Sequence, residues 1–467
     1  MRMNDWNIIV IMLDSLRYDH LGCYGGDKVK TPNIDKLAEE SVIFENAYPE
    51  GLPTIPVRTS LFTGNRTLHS RPWQPLTRED QPVAEILDEY GYVSGLIADT
   101  YHLFKPGMNF HRGFRTFRWI RGQEADAYVS APHNKDLRDY TKPAMRNTPT
   151  EAMLDQYLRN ISLREKEEDY FVAQVMRESA EWLARNQIHP HFFLWIDSFD
   201  PHEPWDPPLE FERLYADSDY RGPRLIHPMY GRVDWMTEEE LDYVRALYAG
   251  EVTFVDKWLG YLLDTIRDLG LFQNSIIVLL SDHGHPHGDH GSIMKTPDNL
   301  YSELLRIPLL IRHPEGLYAG KRVDALVQTD DLLPTILDLL KLSHETIAMT
   351  GQSMWPLVTA AKDKLRDYVV TGYYGSQHRC VRDKTWSYVY RPNGQPPELY
   401  NLLEDPIEWN NVADEYPDKV EELATQLPRA FQVLEPKFSS IQLRYEVSGT
   451  PVYKTTADIQ RHTRPEG

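Results

Sequence analysis

The sequence predicts an α/β protein: a doubly wound sheet covered by helices on both faces, followed by a small antiparallel sheet. Three patterns carry this reading. Short apolar runs recur along the chain, amphipathic stretches separate them, and after about residue 365 the texture changes to alternation.

Taken in order, the apolar runs are "NIIVIML" (7–13), "VSGLIA" (93–98), "HFFLWI" (191–196), "SIIVLL" (275–280) and "IPLLIR" (307–312). Each is short and followed by polar residues, as in strands buried on both faces. The helical patterns between them are 31–42, 82–91, 170–186 and 237–270. Thr237 followed by Glu240 fits a capping box. Residues 118–168 are polar and irregular and read as an insertion, a lid beside a site. The alternating segments "YVVTGYYG", "HRCVRD", "TWSYVYR" and "ELYNL" read as a C-terminal sheet, with a helix near 417–433 behind it. The predicted organisation is therefore a catalytic α/β domain over 1–364, a small β subdomain with its helix over 365–433, and an extended tail over 434–467. The tail is moderately apolar and is expected to pack across a neighbouring subunit in a homo-oligomer.

Bulk properties narrow the function. The formal net charge of −20 argues against nucleic acid and against anionic membranes as partners. Two cysteines, Cys23 and Cys380, exclude a disulfide framework. The first apolar run is too short for a signal peptide and no segment reaches the ~18 residues of a membrane span, so the cytoplasm is the expected compartment. No P-loop or dinucleotide fingerprint occurs.

In open α/β sheets, ligands bind outside the carboxyl ends of the strands. Asp14 follows the first run, Thr100 and His102 the second, His202 the third, and Asp282, His283 and further on Lys295 the fourth. "GLPTIPVRTSLFTG" (51–64) adds Thr54 and Arg58 at the start of a helix. Each residue has an ordinary alternative: Thr54 or Asp14 as a helix or turn cap, either histidine as a structural one, Lys295 as a solvated charge. Trp73, Trp119, Tyr101 and Trp205 are either pocket walls or core packing. "DHGHPHGDHG" resists such readings, because two acids and four histidines in ten residues directly after an apolar strand suit a metal or catalytic centre. Asp282 and His283, next to the strand end, are stronger candidates than His285, His287 and His290. The resulting picture is a divalent metal held by Asp14, Asp282 and His283, with Thr54 Oγ completing the shell as an activated nucleophile. Arg58, one helical turn on, would clamp a tetrahedral anion, and Lys295 with a histidine would serve the leaving oxygen.

The segments "IIVIMLDSLRYDHLGCYGG", "TPNIDKLAEESVIFENAY", "TIPVRTSLFTG", "IDSFDPHEPWDPP", "VLLSDHGHPHGDHGSIMK" and "ELYNLLEDPIEWNNVADE" together resemble sulfatase-like hydrolases of the alkaline phosphatase superfamily, in the family's motif order over about residues 5–415. The resemblance implies a central mixed sheet between helices, with a small C-terminal sheet. It implies Asp14, Asp282 and His283 as metal ligands and Thr54 at the nucleophile position. It places Arg58, His202 and Lys295 at anion-binding and proton-transfer positions. His102 aligns with the histidine of a Lys-Trp-His-Leu stretch whose lysine is Thr100 here, so Thr100 joins Arg58 and Lys295 as a candidate substrate contact.

Two departures matter. Sulfatases of this type carry Cys or Ser in Cys/Ser-x-Pro-x-Arg and oxidise it to formylglycine, whose hydrate expels sulfate by collapsing to a carbonyl. Threonine cannot form that aldehyde, whereas a threonine phosphate can be hydrolysed by in-line attack. Ser15 stands where many sulfatases have a second Asp, and His283 stands for the usual Asn. One fewer carboxylate and one imidazole favour Mn²⁺ or Zn²⁺ over Ca²⁺, which stays an alternative, and a single ion is expected. The sequence therefore predicts a metal-dependent hydrolase of small anionic esters, phosphate diesters or phosphonate monoesters. The alternatives are a sulfuric ester hydrolase, a phosphoryl transferase with an alcohol acceptor, and a non-catalytic binding protein on the same fold.

Overall fold

Every apolar run named above contains a strand. The computed structural model describes residues 6–68, 70–342 and 347–427. In chain order the strands of the two larger sheets are β1 (Asn7–Leu13), β2 (Val42–Tyr48), β3 (Gly51–Leu52), β4 (Val93–Ala98), β5 (Thr116–Trp119), β6 (Phe192–Ser198), β7 (Ser275–Leu280), β8 (Leu309–Arg312), β9 (Arg322–Gln328), β10 (Val369–Tyr373), β11 (Arg379–Arg382), β12 (Trp386–Tyr390) and β13 (Glu398–Asn401). Eight of them form the main sheet in the order β9-β2-β8-β7-β1-β6-β4-β5. All run parallel except β8, which is antiparallel to both of its neighbours.

The pleat sends alternate side chains of β1 into two separate cores. Ile8, Val10 and Met12 face one, and Ile9, Ile11 and Leu13 the other. The main helices are α1 (Pro32–Glu39), α2 (Thr54–Thr63), α3 (Val83–Glu89), α4 (Pro149–Asn160), α5 (Phe171–Asn186), α6 (Glu238–Asp268), α7 (Leu332–Leu339) and α8 (Pro417–Ala424). Helices α2, α3 and α7 cover the first face, and α1, α4, α5 and α6 the second. The result is a helix–sheet–helix sandwich. The capping box at Thr237 opens α6: Glu240 N–H donates to Thr237 Oγ1 at 3.2 Å and Thr237 N–H to Glu240 Oε2 at 2.7 Å.

The smaller sheet has the order β13-β12-β11-β10-β3. Four strands are the alternating C-terminal segments. The fifth is β3, which comes from just before α2 and lies parallel to β10, with Gly51 opposite Gly372 and Leu52 opposite Tyr373. Buried Arg382 fastens this sheet to the main body: it grips Glu408 at 2.6 and 2.8 Å and donates to Ser302 Oγ at 2.8 Å.

Some elements lay outside the sequence reading. Strands β2 and β9 are additional, and the 118–168 segment contains α4, with Thr148 Oγ1 accepting from Glu151 N–H at 3.3 Å. The C-terminal helix is shorter than expected, and the tail with its oligomer role lies outside the described residues. Among the described residues no helix is long and apolar enough to cross a membrane.

Candidate active site

The carboxyl edge of the sheet collects the predicted groups. Asp14 follows β1 directly, and its backbone N–H donates to Ser198 O at 2.9 Å. Asp282 lies just past β7, where it accepts the N–H groups of Ser15 and His283 at 3.0 and 2.9 Å. Adjacent strand ends are therefore stitched together by the residues that carry the charges. Ser15 adopts a left-handed φ of 62° and its hydroxyl donates to Asp14 Oδ1 at 2.9 Å. It thus supports Asp14 rather than adding a carboxylate.

Helix α2 enters this edge at its N-terminus. Pro53 occupies the N-cap position and Thr54, 3% exposed, is the first helical residue, with no capping hydrogen bond from the helix's N-cap residue. The capping alternative for Thr54 therefore fails. All ten residues of the helix are buried. Arg58 is fully buried among three carboxylates. Nε and Nη2 donate to Asp197 at 3.2 and 2.7 Å, and Nη1 donates to Asp282. Nη2 also approaches Asp14 Oδ2 to 3.0 Å, off the hydrogen-bonding direction. Three of the five guanidinium N–H groups are thus spent on carboxylates, leaving two for an anion.

Asp14, Asp282 and His283 form a cation-sized set, with one ligand atom from each within 4.8 Å of the others. His283 Nδ1 pairs with the carbonyl of Gly284 at 2.9 Å, so it carries the proton and Nε2 presents a lone pair. Among the described residues that Nε2 has no hydrogen-bond partner and faces Asp282 Oδ2 at 3.4 Å, acceptor to acceptor; Asp14 Oδ2 is likewise a buried acceptor without a donor there. Burial holds His283 down at about 4, and therefore neutral. Burial and neighbouring Asp282 push Asp14 well up. Burial would raise Asp282 too, but His283 and Arg58 outweigh it and hold Asp282 down. With Asp14 deprotonated, as cation binding requires, three carboxylates face one guanidinium and leave two uncompensated negative charges in a buried site. Two orphaned acceptors and a charge deficit of two fit a divalent cation.

On the other side, Lys295 Nζ lies 2.9 Å from each oxygen of Glu203 and 2.8 Å from His202 Nε2. These contacts engage all three ammonium hydrogens. His202 Nδ1–H donates to Glu203 O at 2.7 Å, and its ring stacks on Phe199 at 3.9 Å. Burial drives His202 down to about 3, so its Nε2 is an acceptor for Lys295. Glu203 also accepts from Tyr230 Oη at 2.6 Å and pairs with His285 Nε2 at 3.0 Å. His102 stands at the rim, edge-on to Trp73 at 4.9 Å and 3.7 Å from Glu124, and burial depresses it well below the ordinary imidazole value. Thr100 lies deeper: its hydroxyl donates to Asp197 Oδ1 at 2.6 Å, behind Arg58, so it braces the clamp instead of facing an anion in this structure. His290 is remote from this group, stacked on Tyr301 at 3.7 Å. Trp205 is fully buried in the core and Trp119 pairs with Arg121 at 4.1 Å, so of these four aromatics Trp73 and Tyr101 flank His102, where Phe199 joins them at 5.9 Å.

A family model described as Sulfatase matches residues 6–342, nearly three quarters of the chain. The chain belongs to the sulfatase family. A second model, N-sulphoglucosamine sulphohydrolase, C-terminal, matches residues 288–436. Relatives include an arylsulfatase of Clostridium perfringens, 26% identical over 89% of this chain and 92% of its own length. Another is the multifunctional alkaline phosphatase superfamily protein PehA of Trinickia caryophylli, 24% identical over 87% and 91%. The crystal structure of the phosphonate monoester hydrolase of Agrobacterium radiobacter superposes with a TM-score of 0.70 at 23% identity, covering 90% of this chain and 94% of that one. The fold is thus the alkaline-phosphatase-like sandwich, and this sulfatase-family protein is an ester hydrolase. Family membership also implies metal dependence, in keeping with the acidic set around Asp14.

Two functional-looking residues escaped the sequence reading. Asp197 anchors Arg58, and Glu203 anchors Lys295. Asp197 had a legible signal, an acid inside the apolar run "FFLWIDS", which must find a cation when buried. Glu203 sits between His202 and Pro204 and had none.

Proposed function

We propose that this protein hydrolyses phosphate diesters or phosphonate monoesters through a covalent ester on Thr54. The observation that carries the reading is a threonine, not an oxidisable Cys or Ser, at the buried head of α2, with Arg58 one turn below it. Asp14, Asp282 and His283 would hold the ion, with Thr54 Oγ as a further ligand; the imidazole favours Mn²⁺ or Zn²⁺. Bound there, the ion lowers the hydroxyl pKa and offsets charge on the transferred group.

The remaining steps belong to the chain. The two spare N–H groups of Arg58 and the N-terminus of α2 orient the tetrahedral group for attack by Thr54 Oγ. The attack forms the Thr54 O–P bond and breaks the bond to the leaving oxygen. Lys295, shifting a hydrogen from Glu203, supports that oxygen as charge develops. Lys295, held by His202 Nε2, protonates the leaving oxygen and is reprotonated by the proton lost from Thr54; water then attacks phosphorus in line, breaking the Thr54 O–P bond and returning a proton to Thr54 Oγ. His102, beside Trp73, would contact the incoming ester.

A sulfuric ester hydrolase is the second reading, supported by the family match and by the arylsulfatase relative. A panel of p-nitrophenyl sulfate, phosphate, phosphodiester and phenylphosphonate with added metals separates the two. Thr54→Ala should lose at least about 10³-fold in kcat, while Thr54→Ser keeps measurable turnover. Acid-quenched wild type should carry a phosphoryl or phosphonyl adduct on the Thr54 peptide. Wild-type turnover by Thr54→Ala ends the nucleophile assignment, and sulfate as the sole substrate ends the preference for phosphorus.

A further inference from the structure

The small C-terminal sheet brings one more group to this site. Tyr373 closes β10, opposite Leu52 and so two residues from Thr54 in the strand that leads into α2. Its ring packs into the core shared with α2 and is 6% exposed. Its hydroxyl is fully buried and has no hydrogen-bond partner among the described residues. An unpaired buried hydroxyl is destabilising, and native proteins keep one where another molecule completes it.

The surroundings indicate what would complete it. The hydroxyl lies in the electrostatic fields of Glu203 and Asp282, and close enough to Tyr230 to perturb that phenol. It is thus within electrostatic reach of one member of each cluster, on a strand paired with the residues that lead into Thr54. The other donors on the Lys295 side already point inward. Lys295 gives its hydrogens to Glu203 and His202, Tyr230 gives its own to Glu203, and His202 Nδ1–H goes to a backbone carbonyl. Tyr373 is different, because its hydrogen is uncommitted. Burial and the charge of Glu203 keep the phenol protonated, so it is a donor at any working pH.

We propose that Tyr373 is a substrate-binding residue of this active site, its hydroxyl donating to an oxygen of the tetrahedral group on the leaving-group side, between Thr54 and Lys295. The assignment rests on the ester-hydrolase reading above. It gives the C-terminal sheet a direct part in the chemistry, although no bond to the tyrosine is made or broken.

Tyr373→Phe in the full-length, metal-loaded protein tests it, because only the oxygen is removed. We expect kcat/KM on the best ester of the panel to fall about 100-fold, the size found for single oxyanion donors. Inhibition by orthovanadate should weaken in parallel, while Tm stays level or rises because an unpaired hydroxyl has gone. A purely structural tyrosine gives the opposite pattern, lower Tm with kcat/KM per folded molecule intact. That pattern, or wild-type kcat/KM and vanadate inhibition in Tyr373→Phe, overturns the proposal alone. A wild type that neither turns over any ester of the panel nor binds vanadate overturns the hydrolase reading and this assignment together.

Discussion

Arg58 offers a quantitative test of the site's electrostatics. Its guanidinium touches three buried carboxylates, and Arg58→Met would leave Asp14, Asp197 and Asp282 facing one another. Removing one partner of a buried ion pair costs about 3–5 kcal/mol. A chain of this length unfolds with an entropy of roughly 1 kcal/mol per kelvin, so Tm falls by only about 3–5 °C. Urea denaturation is therefore the better readout. The loss must also depend on pH. Burial and Asp282 already raise the Asp14 pKa in the wild type. A carboxyl whose folded pKa exceeds its unfolded value adds stability fully below the unfolded value of about 4, and loses it as pH rises through the folded pKa. Without Arg58 that folded pKa climbs further, and each unit is worth about 1.4 kcal/mol. In chelator, Arg58→Met should approach wild-type stability near pH 4 and fall increasingly short of it toward pH 8. A divalent ion at 100 times its Kd should return about 2.7 kcal/mol. A variant that tracks the wild type across this pH range in chelator would refute the carboxylate cage.

Two further outcomes follow from the geometry. Burial holds His283 at about 4 and pushes Asp14 up, so any loss of metal affinity as pH falls from 8 to 6 should come from the Asp14 carboxyl, with the His283 ring staying neutral by NMR across that range. Protonation of the His283 ring between pH 7 and 6 in chelator would mark an ordinary exposed histidine. Arg382→Met leaves Glu408 buried without its cation and should cost about 3–5 kcal/mol in urea denaturation, with metal affinity unchanged. A loss below about 1 kcal/mol would show that the two sheets are held by other contacts.

The sequence exposed those parts of the fold whose pattern is local. Strands β1, β4, β6 and β7 are buried on both faces and stand out as apolar runs. Strand β2 was hidden because "VIFENAY" follows α1 with almost no turn signal, and β9 because "RVDALVQ" mixes exposed and buried residues. Helix α4 carries cap residues, but few of its positions reach the core, so its apolar stripe is thin. Helix α2 has no stripe at all, since every residue is buried whether polar or not. Asp14 and Asp282 stood out because each sits at the end of an apolar run, whereas Thr54 follows none. The orientation of Thr100 toward Asp197, and the company kept by Arg58, depend on side chains from distant segments and left no trace in spacing. Strand β3 could not be read either, being two residues long and paired with a segment near the other end of the chain.

That two-residue strand limits how this protein could be rebuilt by recombination. A crossover at the apparent boundary near residue 365 would import a foreign sheet while keeping the native Gly51 and Leu52, whose backbone must fit against β10. Any mismatch in that short ladder would be felt first at Thr54, the next residue but one. Exchange of the C-terminal unit between relatives is therefore constrained less by the long seam of side chains than by two backbone positions preceding α2. Grafts that bring their own counterpart of residues 49–54 should be tolerated where simple tail swaps are not.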